Sequence, residues 1–149
     1  MGHIPVKFTA AATGSAEALD VFGAPLSVLS DGAVLPIVVG EQHVPPGYGV
    51  PIHIHENDDE LFYVLEGELI VSGPAGETIA GTNACVTLPR RLPHGFRNAS
   101  AAPARVLVVL APGVQALEMF RCFDRAGRAA PLAPKDIVAI AAQYGVTFA

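Results

Sequence analysis

Between Leu26 and Leu110 no apolar run lasts long. Short stretches rich in Val, Ile, Leu and Phe alternate with Gly, Pro, Asn and Asp at close intervals. Such a rhythm leaves no room for a row of helices and predicts an antiparallel all-β sandwich or small barrel. "VLPIVVGEQHV" reads as a strand, "PPGYG" as a turn, "VPIHIH" as a second strand and "ELFYVLEG" as a third, stopped at Gly67. "ELIVSGPAGETIA" has the form of a hairpin, because Gly73, Pro74 and Gly76 supply turn dihedrals that other residues resist. "ACVTLP", "HGFRN" and "ARVLVVLA" continue the series. Pro89 and Pro93 fall where strands end, since proline cannot donate to a ladder.

After Pro112 the pattern changes period. In "VQALEMFRCFDRAG" Leu117, Phe120 and either Arg121 or Asp124 share a helical face, with Gly127 as the expected stop. A second helix is expected from Pro134, with Ile137, Ile140 and Ala141 on one face and Gly145 at its C′ position. A length of 149 residues suits one domain. The expected organisation is a single domain, 1–149, with a barrel core over about 34–111 and a short helical extension over about 112–149.

Only 15% of the residues are charged and the net charge is -5, which argues against nucleic acid or an anionic membrane surface as partner. No window has the apolar length of a membrane span, and "MGHIPVKFTA" lacks the basic and apolar regions of a secretory leader. Cys85 and Cys122 have no metal or disulfide spacing and read as free core or interface thiols. A soluble, cytoplasmic protein is the expectation.

The chemistry concentrates in "GYGVPIHIHENDDELFYVLEG". Alternation along a strand sends His53 and His55 to one face and Ile52 and Ile54 to the other, with the two imidazole positions about 7 Å apart. Such a pair can bind one ion, and equally can be two surface histidines before a polar turn. Glu60 shares its face with Phe62 and Val64, where a carboxylate is costly unless paired, protonated or bound to a metal. Glu56, Asp58 and Asp59 read as a solvated loop. His94, with Phe96 and Asn98 on its side of a strand, is by itself either a hydrogen-bonded turn residue or a further ligand. His43, at a strand end, reads as a surface residue near a cavity mouth.

The spacing Gly47, five residues, His53-Ile54-His55, four residues, Glu60, six residues, Gly67 resembles the first motif of the cupin superfamily, G(X)5HXH(X)4E(X)6G. The second motif, G(X)5PXG(X)2H(X)3N, is met by Pro89, His94 and Asn98, with Asn83 and Arg91 in place of its two glycines. Asn tolerates the left-handed backbone region, whereas Arg91 there would cost on the order of 1 kcal/mol. The resemblance implies a small β-barrel of jelly-roll type, the double-stranded β-helix. His53, His55, Glu60 and His94 would converge inside it on one divalent transition metal: Fe, Mn, Ni, Co, Cu or Zn.

The chain is further similar to small bacterial cupins that resemble quercetin 2,3-dioxygenases. That likeness implies a metal-dependent dioxygenase-type oxidoreductase acting on a small aromatic or enolic molecule, with Glu60 as ligand and base and Phe62, Val64 and Phe96 as cavity walls. Two other functions remain in view. One is a non-enzymatic metal or small-ligand sensor. The other is an isomerase or lyase on a sugar or keto acid, with Arg90, Arg91 or Arg97 gripping an anion. Leu61, Tyr63 and Leu65 form an outer apolar row to be covered by the C-terminal helices or by a second subunit, and the resemblance favours a homodimer.

Overall fold

The computed structural model describes residues 9–149, so the stretch read for a leader lies largely outside it. Eleven strands form two antiparallel sheets. One has the order β1 (Glu17–Val21), β2 (Ala24–Asp31), β3 (Val38–Val44), β10 (Ala104–Ala111), β5 (Asp59–Glu66), β8 (Cys85–Leu88). The other runs β11 (Val146–Phe148), β4 (Gly49–His55), β9 (His94–Arg97), β6 (Leu69–Gly73), β7 (Gly76–Ala80). No ladder joins the two sheets among the described residues. The arrangement is therefore a jelly-roll sandwich and not a closed barrel. Pro89 directly follows β8 and Pro93 directly precedes β9, so neither strand can extend its ladder across the gap.

The core follows from alternation. β10 buries Ala104, Val106, Val108 and Leu110, and β5 buries Glu60, Phe62 and Val64, while the intervening side chains stay half-buried. Strands start earlier than the expected core boundary at residue 34, because "EALDVFGAPLSVLSD" already alternates and buries Leu19, Val21, Leu26 and Val28. At the tight turn between β1 and β2, Phe22 takes φ 36° before Gly23 at 108°. A bulky side chain is an outlier there. Its ring is held 5.6 Å from Tyr48 and 5.2 Å from Phe123.

Helix α1 (Val114–Ala129) passes straight through Gly127, contrary to the expected stop. A glycine costs a helix interior about 1 kcal/mol relative to alanine, and burial of Ala116, Leu117, Met119 and Phe123 outweighs it. Helix α2 (Pro134–Ala142) does begin at its proline. Asp136 accepts a hydrogen bond from the Ala133 N–H at 3.0 Å, and the left-handed residue after the helix is Gly145, φ 74°. The chain then returns as β11, pairing with β4 from Val146↔His55 to Phe148↔His53. The helices pack chiefly on β1 and β11, leaving Leu61, Tyr63 and Leu65 half-buried on the outer face. Among the described residues no helix is long and apolar enough to cross a membrane.

Candidate metal centre

His53 and His55 project from β4, and His94, the first residue of β9, is the register partner of His53. Glu60 reaches the same point from β5 in the opposite sheet. All four are buried, and each offers one ligand atom within 4.8 Å of the others. The imidazoles lean together: ring centroids lie 5.1 Å apart for His53 and His55, and 4.5 Å for His53 and His94. Glu60 Oε2 sits 3.3 Å from His55 Nε2 and 3.1 Å from His94 Nε2.

Outer contacts orient two of the rings. His53 Nδ1 lies 2.8 Å from the Pro51 carbonyl and His94 Nδ1 lies 2.9 Å from the Leu92 carbonyl. A carbonyl only accepts, so each Nδ1 carries a proton. His53 Nε2 then keeps a lone pair for the centre, whereas His94, when it donates to Glu60, is protonated at Nε2 as well and must lose that proton to bind a metal. His55 Nδ1 is buried without a partner among the described residues. Burial, aided by His94, pushes the His53 pKa down to about 4. Burial would raise Glu60, but the hydrogen bond from His94 and the attraction of the three imidazoles outweigh it and hold the carboxyl below its ordinary value. For His94 burial likewise loses, to the Glu60 carboxylate, and its pKa is raised.

This donor set fits a metal. Bonds of about 2.0–2.2 Å to nitrogen and oxygen place two ligand atoms of one ion no more than about 4.4 Å apart, so small side-chain adjustments close the observed spread. Three imidazoles and one carboxylate suit first-row divalent ions and leave coordination positions free.

The centre faces a cavity of about 50 Å³, room for a few water molecules. Phe62 and Phe96 line it as expected; Val64 does not. Walls that the sequence reading missed come from Phe22, Tyr48, Phe120, Phe123 and Phe148. Phe148 packs 5.6 Å from His53. Its strand has three residues and directly follows Gly145, too short a run to show a period.

Several expectations need correcting. Asp58 is not solvated: it is 2% exposed and accepts a 2.7 Å hydrogen bond from the Gly113 N–H at the start of α1. Asp59 and Glu56 do lie at the surface, paired with Arg90 at 2.9 Å and Arg91 at 3.4 Å. Arg97 is bound by Glu77. None of these arginines lines the cavity. Cys85 is exposed, not core, and Cys122 is half-buried. His43 lies at the surface beside Glu41, 3.6 Å away. Asn83 and Arg91 both adopt the left-handed conformation, φ 70° and 68°, so the turn keeps the geometry of the motif glycines. The Arg91 N–H is held by the His55 carbonyl at 2.8 Å, which ties that strained turn to a ligand strand.

Residues 40–110 match the family model for the Cupin domain. The chain has the cupin fold. Solved cupins with related backbones include a sugar phosphate isomerase from a cupin superfamily of Silicibacter pomeroyi. That protein is 29% identical, with a TM-score of 0.56 over 61% of this chain and 60% of its own. The polyketide cyclase RemF of Streptomyces resistomycificus is 24% identical, with a TM-score of 0.60 over 71% of this chain and 80% of its own. KdgF from Halomonas sp. reaches a TM-score of 0.64 at 17% identity, over 71% of this chain and 94% of its own. No curated protein matches the sequence significantly. At these identities the likeness carries the cupin fold, and fold does not fix a reaction.

Proposed function

We propose that this cupin is a metal-dependent enzyme of dioxygenase type that acts on a small enolic or aromatic molecule. The observation that carries the reading is the convergence of four buried donors, three of which, His53, His55 and Glu60, line a largely apolar cavity. His53, His55, Glu60 and His94 would hold one divalent transition metal. Bound there, it would supply Lewis acidity that lowers the pKa of a substrate hydroxyl and, if redox-active, a means of using O2. Glu60, kept as a carboxylate, takes the hydroxyl proton at Oε2. Tyr48, Phe62 and Phe96 exclude water, and the Pro51 and Leu92 carbonyls keep His53 and His94 aimed. With about 50 Å³ of free space, the cavity disfavours three-ring flavonols.

A second reading, isomerisation without O2, is supported by the likeness to the sugar phosphate isomerase. Against a phosphorylated substrate stands the cavity wall, which contains neither Lys nor Arg. A sensor would bind the same ligands without turnover. Elemental analysis of wild type, His53→Ala and Glu60→Ala comes first: stoichiometric metal that persists in both variants refutes the site. O2 uptake with a panel of small enols and flavonols, with product masses, then separates oxidation from isomerisation and from binding alone. We further propose a homodimer that covers Leu61, Tyr63 and Leu65, checked by sedimentation.

A further inference from the structure

One polar side chain in the cavity has no part in the metal centre. Gln42 lies in the middle of β3, 7% exposed, with its inward neighbours in the sheet, Leu26 and Val106, both buried and apolar. It lines the same cavity as His53, His55 and Glu60. No described residue makes a hydrogen bond with its carboxamide. Its polar atoms open onto the cavity and are not sealed in the packed core, so the amide is free to pair with a molecule held there, whereas Leu or Met would suit the apolar neighbours without needing one.

The register locates it. Glu60 is level with Leu110 and, through it, with Val38, so Gln42 stands four residues further along β3. That is about 13 Å of strand, a gap that the reach of both side chains narrows to small-molecule length. Phe62 and Val108 lie between the two levels. The cavity thus has two polar points separated by an apolar wall.

We propose that Gln42 is a specificity-determining residue, whose carboxamide hydrogen-bonds a second oxygen function on a small, flat, enolic ligand that meets the metal donors at its other end. This rests on the metal-dependent reading above. A site built to hydrogen-bond such a group rejects the analogue lacking it, because its own buried amide is then left unpaired.

Two measurements test the assignment. In the metal-free protein, Gln42→Leu should melt at the same temperature as wild type or higher; a clear fall would make Gln42 a structural residue and overturn the proposal. In the cobalt-loaded protein, titration with tropolone and 5-hydroxytropolone, followed by the cobalt absorption bands, should show wild type preferring the hydroxylated ring at least tenfold. Gln42→Leu should lose that preference while binding tropolone as before. Cobalt uptake with equal affinity for both rings in wild type, or with the preference intact in the variant, overturns the role of Gln42 and leaves the metal reading standing. If no cobalt is taken up, the metal reading fails, and the melting comparison alone decides whether Gln42 is a strained, non-structural group.

Discussion

Asn98, the last residue of the second motif, is expected to act through the fold rather than the chemistry, and its replacement by alanine should be among the costlier single changes. The residue is 1% exposed. Its amide donates to the Val44 carbonyl at 3.0 Å and the Ala102 carbonyl at 2.8 Å. Its oxygen accepts from the Ser100 N–H at 3.0 Å and the Ser100 hydroxyl at 2.8 Å. The side chain thereby fastens the turn between β9 and β10 to the end of β3. A net of about 0.5–1.5 kcal/mol for each of the four bonds sums to roughly 2–6 kcal/mol. The Asn98 backbone bonds to Gly47 and Tyr48, 2.9 Å each, survive the substitution and keep the loss from growing larger. At roughly 2–4 °C per kcal/mol for a chain of this size, Asn98→Ala should melt on the order of 10 °C lower. Asn98→Asp keeps the acceptor but sets a carboxylate against two carbonyls, and should be at least as damaging. Urea and thermal unfolding measure both. A loss below about 1 kcal/mol in Asn98→Ala, or an aspartate variant more stable than the alanine one, would refute the account.

Three further outcomes are expected. Asp58→Ala leaves the Gly113 N–H unpaired and should cost about 1–3 kcal/mol, with faster hydrogen exchange in the first turn of α1, whereas Asp58→Asn retains an acceptor and should lose less. Hydrogen bonds from Arg128 to Asp124, Arg121 to Glu17 and Arg105 to Glu41 hold these carboxyls below their ordinary values of 3.8 and 4.5. The native state therefore binds fewer protons than the unfolded chain, so this stabilisation is complete above the ordinary values and is lost as pH falls through the lowered ones. The urea midpoint should drop in that acid range and drop less in Asp124→Asn; identical profiles would contradict it. Zinc at one hundred times its dissociation constant should stabilise wild type by about 2.7 kcal/mol and raise its melting point by roughly 5–11 °C, an increase absent in His94→Ala.

What could be read from the sequence was what repeats at the period of a strand. Alternation around His53 and Glu60 assigned faces correctly, and the motif resemblance grouped with them His94, which the fold brings to the same point. Features that depend on a distant partner were not legible. Asp58 carries the same charge as its solvated neighbours, and only the arrival of Gly113 beneath it makes burial tolerable. Gly127 looks like a stop because glycine disfavours helix, yet the apolar face from Ala116 to Phe123 outweighs it. Gln42 falls on an inward position by simple alternation, but an inward glutamine becomes unusual only once its neighbours across β2 and β10 are known to be Leu26 and Val106.

The missing closure of the barrel bears directly on the centre. His53, His55 and His94 belong to one sheet and Glu60 to the other, so the four donors bridge two layers that no backbone ladder joins. In the metal-free chain that bridge consists of the Glu60 contacts to His55 and His94, at 3.3 and 3.1 Å, within a largely apolar interface. A metal bound by all four would replace these contacts with bonds across the same seam. The three histidines alone would hold it on a single sheet. Glu60 is therefore the residue through which metal binding would couple to the packing of the two layers, besides its proposed role as proton acceptor.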